Sequence, residues 1–253
     1  MRSRCDRART GAGFGQPVGL QTVDGGAFLG LEYPAADNTV TQTAGKLRVV
    51  CSQERGENIG LPGLESDWAV LGVTPNFSVK WWFMRYVDAI RAAPLKPFVL
   101  YNSWYDLRSV EYPNVPPQNT MTEENVLRIV GLMKRNMVEK HGIALDAFVL
   151  DDGWDVYQSD WALRSAEFPR GLAPVSNALR SMGTMLGMWF GPTGGYSFRT
   201  KRIDWMREHG YETVGASKNT AMLCVAGEKY GDLLTRRVTN LIDSAGVGYF
   251  KWD

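Results

Sequence analysis

The sequence has 253 residues, of which 44% are hydrophobic and 22% charged, and its 28 basic and 27 acidic side chains give a formal net charge of +1. A chain of this length can bury a full core, either as one α/β barrel or as two smaller domains. The balanced charge gives no reason to expect nucleic acid or an anionic membrane as a partner, and no apolar run approaches the length that spans a bilayer.

The N-terminal region carries basic residues but no apolar segment of the kind that a signal peptide requires. We therefore expect either a cytoplasmic protein or a chain whose true N-terminus is absent. Residues 1–20 are rich in Arg and Gly without periodicity, which predicts a disordered or non-native leader. Cys5, Cys51 and Cys224 are far apart and odd in number, so they indicate neither a disulfide framework nor a metal site.

Residues 21–80 show short apolar segments separated by turn residues. The predicted strands are residues 27–33, 46–51 and 68–73. Turns are predicted at Asp37-Asn38 and at Leu61-Pro62-Gly63. Three strands cannot cover both faces of a sheet, so this region is interpreted as the end of a larger β-domain.

A linking helix is predicted over residues 81–96. It begins with Trp81-Trp82-Phe83 and is ended by Pro94 and Pro97, where we place a domain boundary. Its aromatic side chains are interpreted as a surface that docks the helix onto a core, in preference to a sugar-binding platform.

Beyond residue 97, short apolar strands alternate with amphipathic helices. The predicted strands are residues 98–101, 147–150, 186–190 and 248–253. The predicted helices start near Thr120 or Thr122, near Leu172, near Ile203 and near Tyr230. This alternation predicts an α/β fold with a parallel sheet covered by helices.

Each predicted strand ends in a tryptophan, a carboxylate or both. The residues are Trp104, Asp151-Asp152-Gly153-Trp154, Trp189 and Lys251-Trp252-Asp253. Parallel strands share a direction, so these side chains should gather at one edge of the sheet. Indole faces pack against sugar rings and carboxylates accept bonds from hydroxyls, which favours a neutral-sugar pocket over the alternative of large core residues at the sheet rim.

Two details of these strand ends bear on chemistry. Lys251 and Asp253 are two residues apart and so point to the same face, where the ammonium would keep Asp253 ionised as a nucleophile. Asp151 and Asp152 are adjacent, so both can face the site only if the strand ends or bends, and Gly153 makes a bend plausible. A carboxylate pair without further acidic or His ligands is weak support for a cation, and no metal site is predicted.

Five ordered motifs resemble the melibiase-type α-galactosidases of glycoside hydrolase family 36 and clan D. The motifs are Tyr101-Asn102-Ser103-Trp104, Val149-Leu150-Asp151-Asp152-Gly153-Trp154, Phe168-Pro169-Arg170-Gly171-Leu172, Leu186-Gly187-Met188-Trp189-Phe190 and Tyr249-Phe250-Lys251-Trp252-Asp253. Residues 30–34 are similar to the end of the β-sandwich that precedes the barrel in that family.

The resemblance implies a (β/α)8 TIM barrel that cleaves α-galactosides with retention of configuration. Asp253 matches the nucleophile at the end of the fourth strand, and Asp151 and Asp152 match the pair that holds the O4 and O6 hydroxyls. The candidate substrate-binding residues are Asp151, Asp152, Lys251, Trp104, Trp189 and Trp154. On this basis residues 21–80 are the remnant of an N-terminal β-sandwich, and residues 97–253 are about the first four βα units of the barrel.

The same resemblance places the general acid/base after a sixth strand, so this residue is not assigned here and the fragment is expected to be inactive alone. The chemistry needs no metal or organic cofactor. The open alternatives are a transglycosylase of the raffinose-synthase kind, an α-N-acetylgalactosaminidase, and a sugar-binding protein without catalysis. The expected partner is an α-galactoside, and a homo-oligomer of the full-length protein is left open.

Overall fold

A computed structural model describes most of the chain. The described residues are 12–14, 17–43, 46–53, 65–75, 78–215, 217 and 219–253. They fall into two compact units, Met1–Leu95 and Lys96–Asp253, which are described separately. Within the described part of the chain, no helix is long and apolar enough to cross a membrane.

The described residues of the first unit form two three-stranded antiparallel sheets and one helix. Its strands are β1 (Ala12–Phe14), β2 (Val18–Gln21), β3 (Gly25–Leu31), β4 (Asp37–Thr43), β5 (Lys46–Ser52) and β6 (Ala69–Pro75). The sheet orders are β1-β4-β5 and β2-β3-β6. Because β3 contacts β5 and β2 contacts β4, the two sheets lie against each other.

Two sequence predictions for this unit are wrong. Residues 1–20 were predicted to be a disordered leader, and for residues 12–14 and 17–20 this is wrong, because β1 pairs with β4, and β2 pairs with β3 with Val18 opposite Leu29. Residues 1–11 and 15–16 lie outside the described residues. Composition alone missed these strands because strand pairing satisfies their backbone groups and Val18 is buried. The turn predicted at Asp37-Asn38 is instead the start of β4, while Leu61-Pro62-Gly63 lies outside the described residues.

Helix α1 (Val79–Ile90) packs onto the sheet β2-β3-β6. The ring centroid of Phe28 on β3 lies 5.3 Å from that of Phe83 and 5.6 Å from that of Tyr86. Trp81 and Trp82 remain 55% and 40% exposed. The aromatic surface of α1 therefore docks through Phe83 and Tyr86, and the two tryptophans take little part.

The second unit is built on a four-stranded parallel sheet. Its strands in chain order are β7 (Leu100–Asn102), β8 (Ala147–Leu150), β9 (Met185–Phe190), β10 (Thr213–Val214), β11 (Met222–Leu223) and β12 (Val247–Trp252). The parallel sheet has the order β12-β9-β8-β7, and β10 and β11 form a separate antiparallel pair. The predicted α/β fold with a parallel sheet is confirmed.

Helices connect these strands. They are α2 (Glu123–Met133), which continues as a π-helical segment (Lys134–Glu139), α3 (Ala173–Arg180), α4 (Arg199–Glu208) and α5 (Glu228–Ala245). The N-cap of α2 is Thr122, whose hydroxyl accepts a hydrogen bond from the backbone N–H of Asn125. All four residues of β8 are fully buried, which explains why the strand is a continuous apolar segment.

The packing of α3 against the sheet can be tested by Leu179→Ala. Leu179 is fully buried, so its truncation should lower the free energy of unfolding by about 2–5 kcal/mol through lost burial and a residual cavity. Ile242→Ala on α5 is the control, because Ile242 is 45% exposed and its loss should cost less than about 1 kcal/mol. Urea denaturation followed by tryptophan fluorescence measures both, and equal losses would contradict the packing described.

Candidate active site

The acidic doublet follows the end of β8, where the chain bends. Gly153 has a φ of 122°, a region that residues with a side chain rarely adopt. A Cβ atom at Gly153 would lie 2.8 Å from the backbone nitrogen of Ser109, so a side chain is also excluded by contact. The bend directs the carboxylates of Asp151 and Asp152 to different partners.

The carboxylate of Asp151 joins three strand ends. Its Oδ2 accepts hydrogen bonds from Asn102 Nδ2 at 2.6 Å and from Lys251 Nζ at 2.9 Å. Its backbone N–H donates to the Ser103 hydroxyl at 2.9 Å. Asn102 ends β7 and Lys251 lies in β12, so this one carboxylate, which is 3% exposed, links the C-terminal ends of β7, β8 and β12.

Asp253 lies beside the same ammonium group. Its Oδ2 is 3.6 Å from Lys251 Nζ and accepts a hydrogen bond from Trp189 Nε1 at 3.0 Å. Its backbone N–H donates to the carbonyl of Phe190 at 3.0 Å. Burial lowers the pKa of Lys251, but the hydrogen bond and charge of Asp151, together with the charge of Asp253, outweigh this and leave the pKa above its usual value. The Lys251 ammonium therefore stays charged between two carboxylates.

The other half of the doublet, Asp152, occupies a more enclosed position. Its Oδ1 accepts a hydrogen bond from the Tyr157 hydroxyl at 2.9 Å, and its Oδ2 is buried without a hydrogen bond of normal geometry from the described residues. Burial raises the pKa of Asp152 to about 6, with a further contribution from the charge of Asp155. The Tyr157 and Ser197 hydroxyls and Arg202 oppose the shift.

The tryptophans differ in what they can contact. Trp189 is 1% exposed, and the loop after β9 covers its ring, since a Cβ atom at Gly195 would lie 2.9 Å from Trp189 Cη2. Trp154 is also 1% exposed and donates from Nε1 to the carbonyl of Trp189 at 2.8 Å. Trp154 and Trp189 were both predicted as sugar contacts, but both rings are buried in the hydrophobic core of this unit.

Trp104 keeps part of its surface exposed. The Arg108 guanidinium lies 4.1 Å from the centre of its ring, and Tyr112 approaches edge-on with the centroids 6.4 Å apart. Its backbone N–H donates to Asn102 Oδ1 at 2.8 Å. Asn102 thus ties Trp104 to Asp151.

A cavity of about 260 Å³ opens beside Asp253. Its lining residues are Thr193, Gly195, Tyr196, Arg199 and Asp253. Among the predicted site residues, Asp253 lines this cavity. A second cavity of about 290 Å³ lies at the start of α5 and contains none of the predicted site residues.

Sequence reasoning missed several polar residues around this site. Asn102 and Ser103 stand in a motif that was recognised, but their bonds to Asp151 were not foreseen. Their position at the end of β7, next to the strand that carries Asp151, could have indicated these bonds. Asp155, Tyr157 and Arg202 gave no such signal, because they lie in loops or in a helix rich in charged residues.

The known proteins that this chain matches include several named α-galactosidases. The chain is 27% identical over 123 residues to "Alpha-galactosidase 2" of Pediococcus pentosaceus and 26% identical over 121 residues to "Alpha-galactosidase AgaA" of Geobacillus stearothermophilus. These matches cover 45% and 44% of this chain and 17% of each relative.

Two solved structures share the fold. The GH36 α-galactosidase AgaA from Geobacillus stearothermophilus in complex with raffinose matches 97% of this chain with a TM-score of 0.64 and 15% identity. TtGalA, the α-galactosidase from Thermus thermophilus in complex with p-nitrophenyl α-D-galactopyranoside, matches 95% with a TM-score of 0.58 and 21% identity. The chain spans 38% and 45% of the lengths of these two proteins.

The family model described as Melibiase matches residues 122–253, from the N-cap of α2 to Asp253. This match covers just over half of the chain and includes the acidic doublet, Trp189 and the Lys251–Asp253 pair. The chain therefore belongs to the melibiase family.

Proposed function

We propose that the chain is part of a retaining glycoside hydrolase that acts on α-galactosides. In this proposal the sheet β7-β8-β9-β12 is the first half of a (β/α)8 barrel that occupies residues 97–253. Residues 21–80 are the remnant of a β-sandwich, joined to the barrel by the linking segment 81–96. The similarity of fold to the two solved α-galactosidases over nearly the whole chain supports this division.

The observation on which the proposal rests is the position of the Lys251 ammonium. It lies 2.9 Å from Asp151 on one side and 3.6 Å from Asp253 on the other. Two carboxylates from different strands are thereby held at one edge of the sheet, and Asp253 lines a cavity of about 260 Å³. Convergence of charged groups at the C-terminal ends of parallel strands is the arrangement from which α/β-barrel active sites are built.

In the proposed reaction Asp253 is the nucleophile. Its Oδ2 atom is oriented by the Trp189 indole N–H and would attack the anomeric carbon to form a covalent glycosyl-enzyme, which water then hydrolyses. A retaining mechanism also needs a second carboxyl group about 5–5.5 Å away to protonate the leaving oxygen. We assign that role to no residue of this chain, and the chain alone is proposed to bind the sugar without turning it over.

The proposed sugar contacts are hydroxyl-binding groups around the nucleophile. Asp151 and Lys251 present a charged pair, and Asp152 has one carboxylate oxygen without a hydrogen bond of normal geometry. Trp104 supplies the partly exposed aromatic ring. The relatives named α-galactosidases, and the solved complexes with raffinose and p-nitrophenyl α-D-galactopyranoside, support a terminal α-galactosyl unit as the ligand.

Asp253→Asn tests the role of the nucleophile. In the full-length protein that contains this chain, kcat for an aryl α-galactoside should fall at least about a thousandfold, because an amide is a poor nucleophile. The melting temperature should change little, since Asn retains an oxygen that accepts the Trp189 hydrogen bond. Asp243→Asn makes the same change on the exposed side of α5 and should leave kcat unchanged. Unchanged turnover in Asp253→Asn would exclude Asp253 as the nucleophile.

Asp152→Asn should make the fold more stable at neutral pH while weakening sugar binding about tenfold or more. Since burial raises the pKa of Asp152 from 3.8 to about 6, ionisation is the unfavourable state in the folded protein. The ionisation of Asp152 therefore has no effect on the free energy of unfolding below about pH 4. Between about pH 4 and pH 6 it lowers the free energy of unfolding, and above that range the loss is about 3 kcal/mol.

The variant should therefore lose this pH dependence of the free energy of unfolding, which urea denaturation across the acidic and neutral range measures. Asp88→Asn is the control, because Asp88 is exposed and pairs with Arg91 on the surface of α1. If Asp152→Asn keeps the wild-type pH dependence, Asp152 is not its source. Galactose binding is measured on the same samples by calorimetry.

A further inference from the structure

Helix α4 contributes a fully buried arginine. Arg202 is 1% exposed and forms an ion pair with Asp155, which is fully buried, with Nη2 and Oδ2 2.7 Å apart. Arg202 Nε and Nη1 and Asp155 Oδ1 have no hydrogen-bond partner among the described residues. A buried pair with incomplete hydrogen bonding is a poor source of stability, because desolvation of both charges is only partly offset.

The Arg202 guanidinium contacts two aromatic rings near the candidate site, those of Trp161 and Tyr157. It stacks 3.6 Å from the centre of the Trp161 ring, and the Trp161 centroid is 6.1 Å from that of Trp189, the residue that donates to Asp253. On the other side it lies 5.6 Å from the centre of the Tyr157 ring, whose hydroxyl donates to Asp152. Arg202 therefore contacts Tyr157, which donates to Asp152, and Trp161, which packs against the Trp189 ring that donates to Asp253.

Backbone strain is concentrated at the same place. Trp161 has a φ of 64°, and Phe198, the N-cap of α4, has a φ of 52°. Bulky residues rarely adopt the left-handed region, and such strain persists only where the surroundings enforce it. The Phe198 ring packs 4.8 Å from Tyr157 and the Trp161 indole donates to the Tyr230 hydroxyl, so packing and hydrogen bonding fix both.

We propose that Arg202 is a positioning residue for the galactoside site, which holds Tyr157 and Trp161 so that Asp152 and Trp189 face the sugar and the nucleophile. This inference rests on the proposed function. It adds a residue that touches neither the sugar nor the reacting atoms and acts through two aromatic rings.

The charges around Asp152 make this role measurable. Asp152 faces Tyr157, whose ring also has the Arg164 guanidinium 5.2 Å from its centre, and it lies within electrostatic reach of Asp155 and Arg202. The charge of Arg202 lowers the pKa of Asp152, and that of Asp155 raises it. Loss of the Arg202 charge should therefore move the titration of Asp152 to higher pH, and loss of the Asp155 charge should move it to lower pH.

The experiment uses the full-length protein with an aryl α-galactoside. Arg202→Met should lower kcat/KM about tenfold to a hundredfold and shift its acidic limb to higher pH, whereas Asp155→Asn should shift the limb to lower pH. Arg202→Lys should recover part of the loss, because it restores the charge without the stacked plane. NMR of the Asp152 carboxyl carbon gives the same titration without any substrate.

A double variant, Asp155→Leu with Arg202→Met, separates positioning from stability. Removal of both buried charges should leave a fold at least as stable as that of Arg202→Met, while kcat/KM stays low. Recovery of wild-type kcat/KM in the double variant would mean that the pair is only structural and would overturn the proposal. If the double variant does not fold, kcat/KM of Arg202→Met measured above the pH range of the Asp152 titration decides, since a loss that persists there does not come from the charge state of Asp152 and a loss that disappears there overturns the proposal.

Arg170→Gln is the matched control, because Arg170 also pairs with a buried carboxylate, that of Glu123 on α2, but away from the site. It should leave kcat/KM and the Asp152 titration unchanged. An Asp152 titration that is the same in wild type and Arg202→Met refutes the positioning role even if the wild type is active. A wild type that neither binds nor cleaves α-galactosides refutes the proposed function, and the NMR titration still reports on Arg202 separately.

Discussion

The parallel register of the four-stranded sheet determines where the Lys251 ammonium lies. Leu150 pairs with Met188 and Met188 pairs with Phe250, so the next row across the sheet contains Asp151, Trp189 and Lys251. A slip of one residue in β12 would turn Lys251 to the opposite face. The ion pair between Lys251 and Asp151 and the hydrogen bond from Trp189 to Asp253 both depend on this one register. The site is thus a consequence of strand pairing and needs no dedicated loop to bring its charges together.

Two glycines adapt the backbone to that row. Gly153 turns the chain just after the doublet, so that Asp151 faces the Lys251 ammonium while Asp152 faces the Tyr157 hydroxyl. Gly195, with a φ of 78°, lets the loop after β9 lie directly on the Trp189 ring. A Cβ atom would meet the backbone of Ser109 at Gly153 and the Trp189 ring at Gly195. The two glycines therefore allow these segments to approach closely at the sheet edge.

The sequence predicted those parts of the molecule that depend on short-range pattern. The bounds of β8 and the alternation of strands and helices after residue 97 followed from apolar periodicity, and the grouping of Asp151, Lys251 and Asp253 followed from the common direction of parallel strands. The strands β1, β2 and β4 were missed because backbone pairing over long separations leaves little trace in local composition. Arg202 was missed for a related reason. A helix with four cationic residues is expected to face solvent, and only the tertiary position of Asp155 makes burial of one of them possible.

The buried charges explain why this region was the hardest to anticipate. Arg202 pairs with Asp155 and also lowers the pKa of Asp152 through its charge, and several polar atoms of these three residues lack hydrogen-bond partners among the described residues. Apolar residues of similar volume would pack there at lower cost, since desolvation of an ion pair is rarely recovered in full. A sequence selected for stability alone would not keep this arrangement. Under the proposed function the arrangement has a reason to persist, because a sugar hydroxyl that hydrogen-bonds Asp152 would recover part of the cost of burial on binding.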